Sequence, residues 1–366
     1  MKRSVSLGIA AITAALAWLA QPGLTAQATG VPADIVALLT RVGRFSSDDI
    51  TALDQGRVVT RADASPENLE ASVVTAVRIA TDKERTYSYF QQLVSYVDGK
   101  VTTGYGTFGR PPAESDVRRF ALDSSDMADL RACQPSSCDL RFGAATPAEI
   151  SRAVDWLAPD ANERAQTWAR QTLAAYAAGY ASHGDSALKA YDEKGAPIDL
   201  AAEWRALFSR SPALTSLAPG VQRYLTAYPG ERLPADATDT IYWDDQHYTG
   251  LKSIVGLTHM ITVRDAAQPN RIVVAQRQIF ASHYLYGSLA VTLVQQAQAG
   301  SSLATYVVYF NRSRGDLLKG TQTTNGTGLR ARLGNVGASL QRRLGEQLIK
   351  DSAETLLSSM KEALER

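Results

Sequence analysis

The sequence predicts an α+β fold in which antiparallel strands combine with a long carboxy-terminal helix, with a helical insertion between the two halves of the core. Three observations carry this reading. Two β-like runs and a helix open the chain, β-branched and aromatic runs return after residue 250, and residues 329–364 hold one continuous apolar stripe. A length of 366 residues allows about two domains. The 38 basic and 37 acidic residues and the 45% hydrophobic content are ordinary for a globular protein. That balance excludes a disordered tail, a collagen-like fibre and a polytopic membrane protein. A net charge of +1 supplies no global attraction to nucleic acid or membrane.

Taken in order, a helical lead-in covers 32–39 and 48–53, and strands follow at 57–61 and 71–80. The second strand puts Val73, Thr75, Val77 and Ile79 on one face. Thr81-Asp-Lys-Glu84 has the form of a capping box and opens a helix to residue 97, where Asp98-Gly99 ends it. Extended segments are expected at 101–108, at 117–122 and in the arms around the two cysteines. Thr146-Pro-Ala-Glu149 starts a helical block with Pro in the first helical position. Its helices are expected at 147–157, 163–191 (with His183 as an alternative end) and 200–208.

Strands return at 253–264, 271–285 and 303–314 with the spacing of an antiparallel meander. A Gly-rich connector leads to the final helix, whose stripe runs Leu329, Leu333, Val336, Leu340, Leu344, Leu348, Leu356, Met360 and Leu364. At about 1.5 Å per residue that helix would be roughly 54 Å long. The expected organisation is a signal segment at 1–28, an amino-terminal part of the core at 29–145, a helical insertion or lid at 146–235, and strands plus helix at 236–366.

The amino terminus carries an export signature. Lys2 and Arg3 precede an apolar run at 5–20, Gln21-Pro22-Gly23 breaks it, and Ala26-Gln27-Ala28 offers a small-x-small cleavage site. A mature start near Thr29 and a periplasmic or secreted location follow as expectations. Cys133 and Cys138 flank a four-residue loop containing Pro135, which in an exported chain points to a disulfide that pins a turn.

Several motifs fail on context. Gly104-Tyr-Gly106-Thr-Phe-Gly109 matches a phosphate-loop spacing, but Arg110-Pro111-Pro112 follows where a helix would have to begin, so a Gly-rich strand or bulge is the reading. There is no G-x-S-x-G and no H-E-x-x-H, and Asp244-Asp245 and Asp48-Asp49 read as solvated loop carboxylates. Alternation places His259 with Val255, Leu257, Ile261 and Val263, and His283 with Ile279, Ala281 and Leu285, so both histidines face an apolar side. Counting through the turn at 265–270 sets 259 nearest 276, too far from 283 for a joint metal site; no metal and no cofactor is expected. Between residues 312 and 343 seven bases (Arg312, Arg314, Lys319, Arg330, Arg332, Arg342, Arg343) face the single acid Asp316, which could meet an anionic lipid surface.

Two β-runs, helices, an antiparallel sheet and a long last helix together resemble the element order of the START and Bet v 1-like helix-grip superfamily. That resemblance implies a curved sheet wrapped around the last helix with an apolar cavity between them; the block at 146–235 departs from the plain pattern. Arg277-Gln-Ile-Phe-Ala-Ser-His-Tyr284 and Tyr309-Phe-Asn-Arg-Ser-Arg-Gly-Asp316 resemble segments of exported bacterial proteins of unassigned function. The leading expectation is therefore non-catalytic binding or carriage of a hydrophobic, lipid-like ligand. His259, His283, Tyr284, Tyr309 and Asn311 would be its polar lining, and Arg312 and Arg314 would contact an anionic headgroup. The alternatives are a cyclase- or hydrolase-type enzyme with a cavity His as general base, and an envelope-assembly partner using the helical block. Nucleic acid is not an expected partner.

Overall fold

The computed structural model describes residues 30–63, 69–95, 102–135, 137–193, 196–248, 251–299, 302–318 and 329–366. The stretch read as an export signal, Lys319 and the side chains of Arg330 and Arg332 lie outside the described residues. In chain order the elements are α1 (Ala33–Arg41), α2 (Ser47–Asp54), β1 (Val59–Asp63), β2 (Glu70–Ile79), α3 (Lys83–Ser95), β3 (Thr102–Thr107) and α4 (Ser124–Ala132). The helical block holds α5 (Thr146–Ala153), α6 (Ala161–His183), the short pair β4 (Tyr191–Glu193) and β5 (Ala196–Ile198), α7 (Leu200–Ser209), α8 (Pro212–Leu217) and α9 (Pro219–Thr226). The rest is β6 (Ala237–Gln246), β7 (Ile254–Val263), β8 (Arg271–Ala281), β9 (Leu285–Ala299), β10 (Ser302–Gly315) and α10 (Leu329–Glu365).

Eight strands form one open, curved antiparallel sheet in the order β1-β2-β10-β9-β8-β7-β6-β3. Both faces are covered, which is why strands such as β7 are buried at nearly every position. On one face Val77, Ile79, Ile272, Val274, Val294 and Val307 pack with Tyr87 and Phe90 of α3 and with Leu357, Met360 and Leu364 of α10. Their strand neighbours Val273, Leu293 and Val308 point the other way, into a core shared with α1, α2 and α7–α9. Farther along that second face, Ile241, Trp243, Val255 and Leu257 meet α4–α6. The helical block thus forms a layer behind the sheet, on the side away from α10, and not a lid over it.

The α10 rod is held near both ends of its described side chains. Lys361 Nζ donates to Arg78 O at 3.0 Å and Ala80 N donates to Glu365 Oε1 at 2.9 Å. At Gly345 a Cβ would lie only 3.0 Å from Leu317 O, so the missing side chain lets the helix touch the turn after β10.

Several expectations need correction. Strand β6 occupies a stretch read as a loop, so Asp244 and Asp245 are buried strand residues. The run 271–285 is two strands: the chain reverses at Ser282–Tyr284, where Tyr284 adopts φ 61° and Leu285 N donates to His283 O at 2.6 Å. His259 pairs with Arg277 and not with 276. Helix α4 stands where extended arms were expected, started by Asp123, whose carboxylate accepts Asp126 N at 2.8 Å. Asp82, not Thr81, caps α3 by accepting Arg85 N at 2.8 Å. Residues 117–122 are no strand: Glu114–Val117 is a turn of 3₁₀ helix.

Other expectations hold. Cys133 and Cys138 form a disulfide that closes the small bridge between Gln134 and Ser137. Among the described residues no helix is long and apolar enough to cross a membrane. The glycine motif is indeed a strand: Gly104 and Gly106 lie on β3 beneath the indole of Trp243 on β6. Cβ atoms there would fall 2.8 Å and 2.5 Å from the ring.

Candidate functional site

A cavity of about 610 Å³ lies between the sheet and α10, within the range usual for small-molecule sites. The sheet builds its polar wall by alternation. Gln276 and Gln278 of β8, Thr258 of β7, Tyr242 and Asp244 of β6, and Ser288 of β9 face it, together with Tyr309, Asn311 and Ser313 of β10. Register sets these in rows across the strands: Tyr242 pairs with Thr258, Thr258 with Gln278, Gln278 with Ser288, and Ser288 with Ser313. The opposite wall is mixed: Leu348, Ile349, Ala353 and Leu356 of α10 line it with Leu93 of α3 and Leu317, and Asp351, Ser352, Thr355 and Ser359 of α10 line it too.

The polar wall is internally bonded. Asn311 Nδ2 donates to Ser288 Oγ at 3.0 Å, Ser313 Oγ donates to Asn311 Oδ1 at 2.8 Å, and Gln276 Nε2 donates to Tyr242 OH at 3.0 Å. Burial pushes the Tyr309 hydroxyl up to about 12 and lifts those of Tyr242 and Tyr248 further, so all three remain neutral donors. Gln278 Oε1 is buried and has no hydrogen-bond partner among the described residues.

Asp244 is the buried carboxyl of this wall, 7% exposed, with Gln246 Nε2 as its hydrogen-bond donor. Burial, and then the neighbouring Asp245, push it up to about 7. An unfolded carboxyl titrates near 3.9, so the fold favours the protonated form. The resulting penalty is absent below about pH 4, grows from there to about pH 7 and is complete above it. Asp244→Asn removes this penalty. Its stability relative to wild type is expected to rise between pH 4 and pH 8 by up to about 4 kcal/mol, as read by urea denaturation at the two values. A difference that does not change with pH would show an ordinary carboxyl.

Of the residues expected to line a site, Tyr309 and Asn311 do so. The others lie elsewhere. His259 is on the far face, completely buried, with Nδ1 3.0 Å from Tyr180 OH and Nε2 3.2 Å from Asp239 Oδ2. The rings of Tyr224 and Tyr228 surround it, and burial lowers its pKa, opposed by Asp239. Asp239 is itself desolvated, but hydrogen bonds from His259, Arg110 and Tyr224 hold it well below the carboxylate range. His283 sits in the β8–β9 turn with Nε2 3.0 Å from Asp126 Oδ1, and Tyr284 OH accepts Lys252 N at 2.9 Å. Arg312 and Arg314 also point away from the cavity. Both bind the fully buried Glu70, and Arg314 reaches Glu203 of α7 as well. The apolar company of the two histidines was the helix-facing core and not a cavity wall.

A second polar cluster could hold a cation. Carboxylate oxygens of Asp126 and Asp129 and a ring nitrogen of His283 all lie within 4.8 Å of one another. The ammonium of Lys252 already bridges Asp129 and Asp139 there, so a metal would have to compete with it.

Sequence reasoning missed Asp244, Gln276 and Gln278. The signal was available on β8: Gln276, Arg277 and Gln278 interrupt the run 272–281, and alternation puts the two glutamines on the face opposite Arg277, so a strand covered on both faces must offer polar partners on each side. Compared with known proteins, the chain matches no family model and no curated protein.

Proposed function

We propose that this is an exported, non-catalytic binding or carrier protein that holds a small amphipathic, lipid-like molecule between its sheet and α10, in the manner of helix-grip proteins. The observation that carries the reading is the cavity itself, where a mostly hydrogen-bonding sheet wall faces a helix that supplies Leu348, Ile349, Ala353 and Leu356 among its polar residues. Such a pair of walls suits a molecule with one polar end and one apolar end. The α+β sheet with its terminal helix is compatible with the helix-grip resemblance.

The competing readings have less support. A histidine base in the cavity is disfavoured because both histidines are buried elsewhere and already hydrogen-bonded to carboxylates. An assembly surface on the helical block would need a contiguous apolar patch. Among the described residues of that block, Leu157 is the exposed large apolar side chain. Contact with an anionic headgroup or membrane through Arg312 and Arg314 is likewise disfavoured, since both are tied into ion pairs, Arg312 with Glu70 and Arg314 with Glu70 and Glu203. Nucleic acid has no place in this reading.

Native mass spectrometry of protein purified gently from its own cells tests the proposal. A reproducible non-covalent adduct of defined mass, released by organic solvent, is the expected result. Repeated preparations that carry only the mass of the bare chain, and that take up no added amphiphile, would overturn it.

A further inference from the structure

The charge of the cavity wall narrows the ligand class. Among the described residues that line it, the ionisable acids are Asp244 and Asp351, and no Lys, Arg or His is present. The arginines nearest in sequence to the polar wall, Arg312 and Arg314, are turned to the far face and paired there. An anionic head in this space would meet carboxylates with no cation among the described lining residues to balance it, a disfavoured arrangement.

Asp244 has a made-to-fit seat. Gly256, its partner on β7, lacks the Cβ that would lie 2.6 Å from Asp244 Oδ1, so the carboxylate can rest against that strand. The groups facing it are neutral or acidic: Gln246 and Asp245 from β6, Tyr105 from β3, Gln278 from β8 and Tyr248 from the loop after β6. A buried carboxyl in such company is satisfied either by a proton or by a cation, and no described lining residue supplies a cation. The unpartnered Gln278 Oε1 is a further acceptor without a donor. Tyr242 and Tyr248 add the aromatic surface that cations favour. The missing complement is therefore a group that is positive and rich in N–H donors.

We propose that the cavity recognises an amphiphile with a protonated primary amine, its ammonium against Asp244 and Gln278 and its aliphatic part along Leu348, Ile349 and Leu356 of α10. This rests on reading the cavity as the binding site. The raised pKa of Asp244 fits it, because an incoming ammonium would draw the carboxyl into its charged form.

Three twelve-carbon probes separate the possibilities: dodecylamine, dodecanol and laurate, each below its micellar concentration. They are titrated calorimetrically into delipidated wild-type protein and Asp244→Asn at pH 7.5. Wild type is expected to bind dodecylamine at least tenfold more tightly than dodecanol, with laurate weakest. Asp244→Asn is expected to lower amine affinity at least tenfold, with thermal denaturation reporting that the variant is folded. Should dodecanol or laurate bind wild type as tightly as the amine, the amine proposal falls while the cavity reading stands. Unchanged amine affinity in a folded Asp244→Asn has the same consequence. If none of the three binds wild type, the cavity reading falls and takes the amine proposal with it. The wild-type ranking decides the matter even if the variant does not fold.

Discussion

Arg277→Ala is expected to lower unfolding free energy by about 3–5 kcal/mol, the range for breaking a buried charged contact and leaving a hole. The guanidinium is fully buried in the middle of β8, on the face away from the cavity. Its Nη1 donates to Leu225 O at 3.0 Å, near the end of α9, and its Nη2 donates to Asp185 Oδ1 at 2.6 Å, just after α6. Trp204 of α7 lies over it with the ring centroid 4.6 Å from Cζ, and Phe208 lies 5.2 Å away. One side chain thus joins three helices to the sheet. Arg277→Met should cost less, about 1–3 kcal/mol, since it refills most of the volume and Asp185 keeps some solvent. Urea denaturation of both variants gives the comparison. A loss below about 1 kcal/mol for the alanine variant would mean that the charge is not a structural anchor.

Ala290→Trp should abolish binding of the proposed amphiphile, weakening it by on the order of 100-fold or more, with little loss of stability. Ala290 is on the floor of the cavity, paired with Gln276 on one side and Asn311 on the other. An indole placed there enters space otherwise left to the guest, and its apolar surface gains contacts with α10, which offsets the strain of the exchange. Adduct mass and calorimetric titration read the binding, and thermal denaturation reads the fold. Undiminished binding in a folded Ala290→Trp would place the ligand elsewhere on the molecule.

The fold class was legible because alternation and helical stripes survive in β2, β7, β10 and α10. Strand β6 was not, because its acids imitate a loop. Asp239 is satisfied by His259, Tyr224 and Arg110, Asp244 faces the cavity, and Asp245 accepts Thr103 Oγ1 at 2.6 Å, none of which is local. Strand β9 was hidden in part by Gly287, whose absent Cβ makes room for Trp204. The site was legible only at two positions for a related reason. Tyr309 and Asn311 follow from alternation along β10, but the histidines sat on an apolar face that the helical block covers. With helices on both sides of a sheet, polarity inside a strand points to the cavity better than apolar company does.

The indole of Trp243 explains a nucleotide-like signature without any nucleotide. Gly104 and Gly106 are small because a ring from the adjoining strand occupies the volume their side chains would fill. The three positions are therefore coupled in sequence drift. A bulkier residue at 104 or 106 becomes tolerable only once 243 shrinks, and a glycine pattern of this kind records a neighbour's size and says nothing of phosphate.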